Sequence, residues 1–286
     1  MNSLVKFRKT TIMRLLASQK YAEAESAARR FIDLYPQDPF GWKLIGVIYF
    51  YLGRYKEAEH NLLKSITINN KDPESISTLG NALRQQGRIK EALECYDRSL
   101  EIDPDHSPAL NGKGLCLMDY DRHEEALVCL ERALDLNPKQ PEIYYNLGGL
   151  VGKFGRLIES VNFNRKAIEL NPRSAEAYNN LGLSLQDLGE IDEAIKAYEK
   201  AVALDPKSVS YFSNLLFALN YHPDRPAEDI FTFYQEFDRR FSQPYRVTWR
   251  PFINTPDPER RLRIGYVSPD FGFHSIGYFL EPLLEN

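Results

Sequence analysis

The chain has 286 residues, 43% hydrophobic and 27% charged, with 36 basic and 40 acidic side chains and a net charge of -4. Well-mixed signs of this kind exclude a disordered polyelectrolyte and supply no basic field for nucleic acid or an anionic membrane. No run approaches the ~18 apolar residues that a membrane span needs, and Arg8, Lys9 and Arg14 interrupt the amino end as a secretory signal. Cys95, Cys116 and Cys129 are an odd number without a CxxC pair. They read as small buried hydrophobes, with no zinc or dithiol site, in a reducing cytoplasm.

From the amino end the pattern is periodic. Gly46, Gly80, Gly114, Gly148 and Gly182 fall 34 residues apart, and Pro104, Pro138, Pro172 and Pro206 keep the same step. Units beginning at Val5, Pro39, Pro73, Ser107, Pro141 and Ala175 carry Ala24, Ala58, Ala92, Ala126, Ser160 and Ala194 at their twentieth position. A sustained period of this length predicts stacked helix pairs. A mid-helix glycine costs roughly 1 kcal/mol against alanine. Its recurrence therefore implies close contact between the two helices of a unit, through Gly46, Ala58 and their equivalents. Gly53, Gly87, Gly155 and Gly189 sit where the first helix must turn, with Asp121 in that place in the fourth unit and Gln19 in the first. The Asp-Pro and Asn-Pro pairs ending at Pro104, Pro138, Pro172 and Pro206 close the second helices.

Beyond Pro206 one more first helix is predicted, from Tyr211 to Asn220. A degenerate partner follows, capped at Asp224 and running to about Phe241, with Ile230, Phe233, Tyr234, Phe237 and Phe241 as its apolar stripe. Pro244, Pro251, Pro256 and Pro258 then mark a semi-extended linker. Leu262 to Ser268 reads as a strand, Ser268 to Ser275 as a loop and Ile276 to Leu284 as a helix. That order opens a Rossmann-like lobe.

The repeating columns resemble the tetratricopeptide repeat (TPR). The resemblance implies an all-α superhelix of about six to seven helix pairs over residues 1–220. A transition helix and linker occupy 221–258, and a fragment of an α/β, Rossmann-like GT-B lobe occupies 259–286. The segment Leu262-Arg-Ile-Gly-Tyr-Val-Ser-Pro-Asp-Phe, with His274 and Gly277-Tyr-Phe after it, resembles the opening of the O-linked N-acetylglucosamine transferase catalytic domain, which the SPINDLY branch shares. The resemblance implies a metal-free glycosyltransferase that moves sugar from a nucleotide-sugar donor, UDP-N-acetylglucosamine in the complete enzyme, to protein Ser or Thr. His274 matches the loop histidine that faces that family's active site. One strand and one helix make no domain, so the chain is expected to be a truncated form, inactive alone and binding no cofactor by itself.

At the sixth position of their units stand Asn146, Asn180 and Asn214, on the surface that lines the inside of a TPR superhelix. A carboxamide offers both donor and acceptor, so such a column grips an extended peptide backbone without reading side chains. The transferase family uses a ladder of this kind. Here Leu44, Thr78 and Gly112 replace it in the earlier units. Protein substrates or extended peptides on the concave face are the expected partners, with a homodimer through the TPR helices as a further expectation. The alternative is a non-catalytic TPR adaptor. A chaperone-tail clamp is not expected: Lys43 occupies one clamp position, but Val47, Thr78, Pro108 and Gly112 fill the others.

Overall fold

The computed structural model of the chain describes residues 2–248. The strand, loop and helix expected within 259–286, and His274 with them, lie outside the described residues. Among the described residues there are fourteen α-helices and no strand. They form seven antiparallel pairs: α1 (Asn2–Ala17) with α2 (Tyr21–Leu34), α3 (Pro39–Tyr51) with α4 (Tyr55–Ile68), α5 (Pro73–Gln85) with α6 (Ile89–Ile102), α7 (Ser107–Asp119) with α8 (His123–Leu136), α9 (Pro141–Lys153) with α10 (Leu157–Leu170), α11 (Ala175–Asp187) with α12 (Ile191–Leu204), and α13 (Val209–Asn220) with α14 (Ala227–Phe237). The first compact unit ends at Phe241. Of the second unit the described part is Ser242 and a short 3-10 helix, Gln243–Thr248.

The columns have the packing that the sequence implies, with one refinement. A Cβ on Gly46 would lie 2.6 Å from Leu62 Cγ, and on Gly80 2.8 Å from Tyr96. At Gly114 it would lie 2.8 Å from Leu130, and at Gly182 2.6 Å from Tyr198. The residue that demands each glycine is thus the large side chain at the twenty-fourth position. Ala58, expected as the partner of Gly46, contributes only its carbonyl oxygen at 3.3 Å. The alanines Ala58, Ala92, Ala126 and Ala194 are fully buried.

The turns also follow the reading. Gly53, Gly87, Gly155 and Gly189 have φ between 72° and 83°, and Gln19 and Asp121 take φ of 56° in the same role. Helices α3, α5 and α9 begin on a proline, where the missing N–H costs nothing. Asp38, Ser174 and Ser208 cap α3, α11 and α13 with their side-chain oxygens.

The terminal pair differs from expectation in detail. No cap forms at Asp224; Pro226 precedes the first turn, and α14 is shorter than predicted, giving way to a π-helical turn at Asp238–Ser242. Of its predicted stripe, Ile230, Phe233, Phe237 and Phe241 pack against the core. Tyr234 is exposed, and its hydroxyl accepts from Asn220 Nδ2 at 2.6 Å.

Each helix packs on its chain neighbours, and each first helix also packs on the first helix of the next pair. The first helices therefore form one continuous face, and any site there is assembled from several repeats.

Candidate functional site

The three asparagines of the sixth column lie on that face, each half-buried. They do not simply face solvent. Asn146 Nδ2 donates to Asn111 Oδ1 at 2.9 Å, Asn180 Nδ2 to the Tyr145 carbonyl at 3.2 Å, and Asn214 Nδ2 to Asn179 Oδ1 at 2.9 Å. Each bond reaches back to the fifth position of the preceding repeat. The column thus stitches first helices together, and folding is not indifferent to it. The Oδ1 of each makes no bond within the described residues and remains an acceptor.

Asn111 and Asn179 complete this arrangement, and reading the sixth column alone misses them. The fifth column held the signal, since Asn111 and Asn179 precede Asn146 and Asn214 by 35 residues each. In the earlier repeats the sixth position does other work. Leu44 is buried, Thr78 donates back to the Glu74 carbonyl at 2.7 Å, and Gly112 makes room for Tyr96.

Two cavities open on this face. One of about 410 Å³ is bounded by α9 and α11; Asn146 and Asn180 line it, with Tyr145, Leu183, Ser160 and Ser184. Another of about 310 Å³ lies among α3, α5, α7 and α9, with Glu74, Thr78, Asn111 and Glu142 in its wall. Asn214 lines neither.

Burial pushes the Tyr145 phenol up, and pushes Tyr211 to about 12. Burial likewise raises the thiols of Cys95 and Cys116 to about 11 and raises Cys129, so none is an activated nucleophile. Lys43 cannot clamp a carboxylate as it stands. Its ammonium is held by Glu74 at 2.6 Å and Asp72 at 3.3 Å. Among the described residues no His, Cys, Asp and Glu cluster could hold a metal ion, and no helix is long and apolar enough to cross a membrane.

Comparison with known proteins agrees with this geometry. Tetratricopeptide repeat profiles match residues 11–73, 73–106 and 175–208, and a TPR repeat profile matches 114–155. The chain belongs to the tetratricopeptide repeat family. This TPR protein is also 38% identical over 66 residues to the probable UDP-N-acetylglucosamine–peptide N-acetylglucosaminyltransferase SPINDLY of Petunia hybrida. It is 38% identical over 68 residues to that of Arabidopsis thaliana. Each match covers 23% of the chain and only 7% of the length of the relative. Among solved structures, the TPR array superposes on a chain of the APC/C hetero-tetramer Cut9-Hcn1 with a TM-score of 0.74 and 16% identity, covering 83% of this chain and 46% of that one. It superposes on Pseudomonas aeruginosa PilF with a TM-score of 0.59 and 16% identity, covering 74% and 96%. At these identities the structural likeness is one of fold.

Proposed function

We propose that the first helices line the concave face of the superhelix and capture extended segments of partner proteins there, as the substrate-recognition arm of a SPINDLY-like protein O-glycosyltransferase. The observation that carries capture is the row of half-buried asparagines, one repeat apart, each with an unused acceptor oxygen. A peptide N–H is the natural partner of such an oxygen, and a repeating acceptor matches a repeating backbone whatever the side chains. Similarity to SPINDLY and the resemblance of residues 262–279 to the opening of the transferase lobe support the enzymatic setting. In that setting a nucleotide sugar such as UDP-N-acetylglucosamine is the donor, protein Ser or Thr the acceptor, and His274 a residue of the catalytic loop. A second reading, an adaptor without catalysis, has the same groove. It is favoured by the confinement of the SPINDLY match to 7% of that protein's length.

Acceptor capture by the polypeptide 1–286 tests the groove. Replacing Asn146, Asn180 and Asn214 together by alanine should weaken capture of an extended acceptor by about 1–3 kcal/mol in isothermal titration. The same change removes three bonds between repeats, so stability should fall by about 0.5–1.5 kcal/mol for each. Capture is therefore compared below the melting onset of the variant, with helicity followed by circular dichroism. Equal affinity in a folded triple variant rules the ladder out. Sugar transfer from UDP-N-acetylglucosamine to a captured acceptor, assayed in the longest natural form of the protein, separates the transferase from the adaptor.

A further inference from the structure

The fifth repeat departs from the others at two positions on the first-helix face. The ninth and twelfth residues of these helices are Val47 and Phe50, Asn81 and Arg84, Leu115 and Met118, Leu183 and Gln186, Phe217 and Asn220. In α9 both are glycine, Gly149 and Gly152. Packing does not demand Gly149, and crowds Gly152 only at one hydroxyl. A Cβ on Gly149 would meet only Asn180, at 3.4 Å, and one on Gly152 would lie 3.3 Å from Ser160 Oγ. Interior glycines weaken a helix. What they leave here is the 410 Å³ cavity, walled by Met118, Tyr145 and Leu183.

Its floor is polar and buried. Ser160 and Ser184 are 1% and 4% exposed and both line the cavity. Ser160 Oγ lies 2.6 Å from the Gly148 carbonyl and 2.6 Å from Ser184 Oγ. Ser184 Oγ in turn donates to the Asn180 carbonyl at 3.0 Å. Two hydroxyl protons serve these three contacts, so the pair always keeps a contact without a proton. The one further donor is Asn164 Nδ2, at 3.4 Å from Ser160 Oγ. Asn164 Oδ1, behind Gly148, has no partner among the described residues. At the Ser160–Ser184 pair, then, acceptors outnumber donors.

The occupant that this chemistry selects has an apolar body and a neutral donor at its tip. The two charged residues of the lining, Lys153 and Asp187, are opposite in sign and exposed, so an arginine or lysine that reached the buried serines would set its charge against neutral oxygens, at a large desolvation cost. A phenylalanine or leucine would leave the floor as it is. We infer that the cavity is a tyrosine pocket: the ring of a tyrosine in a captured peptide packs against Tyr145, Leu183 and Met118, and its hydroxyl donates to the Ser160–Ser184 pair. This assignment rests on the peptide-groove reading, since Asn146 and Asn180 at the edge of the cavity then hold the backbone on either side. It adds side-chain selection to a groove that the ladder alone leaves indifferent to sequence.

The probe is N-acetyl-tyrosinamide, titrated into the full chain with methyl-labelled Met and Leu and compared with the phenylalanine and arginine amides. Saturable shifts are expected at Met118 and Leu183, with the phenylalanine and arginine amides weaker by about five-fold or more, the factor one hydrogen bond supplies. Gly149→Leu should abolish the shifts with helicity intact. Should that variant not fold, Gly149→Ala, which meets no close contact, should weaken them several-fold. Equal affinity for the phenylalanine amide, absence of saturable shifts, or shifts unaffected by filling at Gly149 overturns the pocket. The probe is too short to use the ladder. Failure here with ladder-dependent capture intact therefore sinks the pocket alone, and retained shifts without such capture sink the ladder alone.

Discussion

Gly148 and Gly149 are neighbours on α9 that lack a side chain for opposite reasons. A Cβ on Gly148 would lie 2.5 Å from Asn164 Nδ2, whereas one on Gly149 meets nothing closer than 3.4 Å. Gly148→Leu should therefore overpack the helix pair and lower stability by about 1–3 kcal/mol. Gly149→Ala should raise it by up to about 1 kcal/mol, because only the glycine penalty is removed. Chemical denaturation of both variants checks the pair, and an unchanged midpoint for Gly148→Leu contradicts the packing account. His106 makes a different prediction at the same scale. Its Nε2 lies 3.0 Å from Ser77 Oγ, and burial lowers its pKa from 6.5 although Asp103, Glu74 and Asp72 pull it up. The fold thus favours the neutral imidazole. Its contribution to stability is present above the unfolded value and is lost as pH falls through the folded one. The ring should titrate below 6.5 by NMR, and His106→Gln should flatten the decline in stability as pH falls below that value. A midpoint above the ordinary value would show that the carboxylates win over burial.

The helix ends explain how much of each element the sequence revealed. Proline marks five of the second-helix stops, yet α4 ends equally sharply with Asn70 in the proline position. At four stops, that of α4 among them, the residue before this position supplies a second device. Asn69, Asp103, Asn171 and Asp205 each accept, through a side-chain oxygen, the backbone N–H two residues on. Asn69 has φ -134° and ψ 96°, and Asp103, which precedes Pro104, has φ -137° and ψ 96°. The backbone at Asn69 is thus already set for a following proline. Asn70→Pro should stabilise the protein by about 0.4–1 kcal/mol by restricting the unfolded chain, measured as a higher denaturation midpoint with unchanged helicity. Loss of stability would mean that the turn at Asn70 differs from its counterparts. Elements fixed by recurring columns were legible for this reason: each glycine, alanine and turn residue is reported several times over. The start of α14 was not. Asp224 satisfies the cap rule in composition, but the residue that sets the first turn is Pro226, whose fixed φ of -58° leads into Ala227. The candidate site was legible in part. The sixth-column asparagines recur, whereas Gly149, Gly152 and Asn164 are departures from the repeat, and comparison by column passes over departures.

At the scale of the whole array the same departures set where stability is lowest. Contacts run only between neighbours along the stack, so stability is close to a sum of repeat and interface contributions. The buried apolar side chains form three clusters, spanning Ile12 to Cys116, Leu110 to Leu150, and Val161 to Leu219. The first two overlap in sequence, but the second and third part company within the α9–α10 pair. There Asn164 occupies the position of Leu62, Tyr96, Leu130 and Tyr198, fully buried and with its Oδ1 unpaired. Ser160, also buried, replaces the alanine of the other repeats. A buried acceptor without a partner costs about 1–3 kcal/mol. The fifth repeat should therefore open before its neighbours, dividing the array into two cooperative blocks. Asn164→Leu restores the residue that repeats two and four place beneath their glycines, with the same branching and number of side-chain heavy atoms. It should raise stability by about 1–3 kcal/mol, increase hydrogen-exchange protection in α9 and α10, and bring the melting of α1–α8 and α11–α13 together. If exchange in α9 and α10 is already as slow as in α3 and α4, or if the leucine leaves it unchanged, the polar layer is not the weak point of the stack. The opening would then be governed by α1 and α14, which among the described helices stand first and last in the stack.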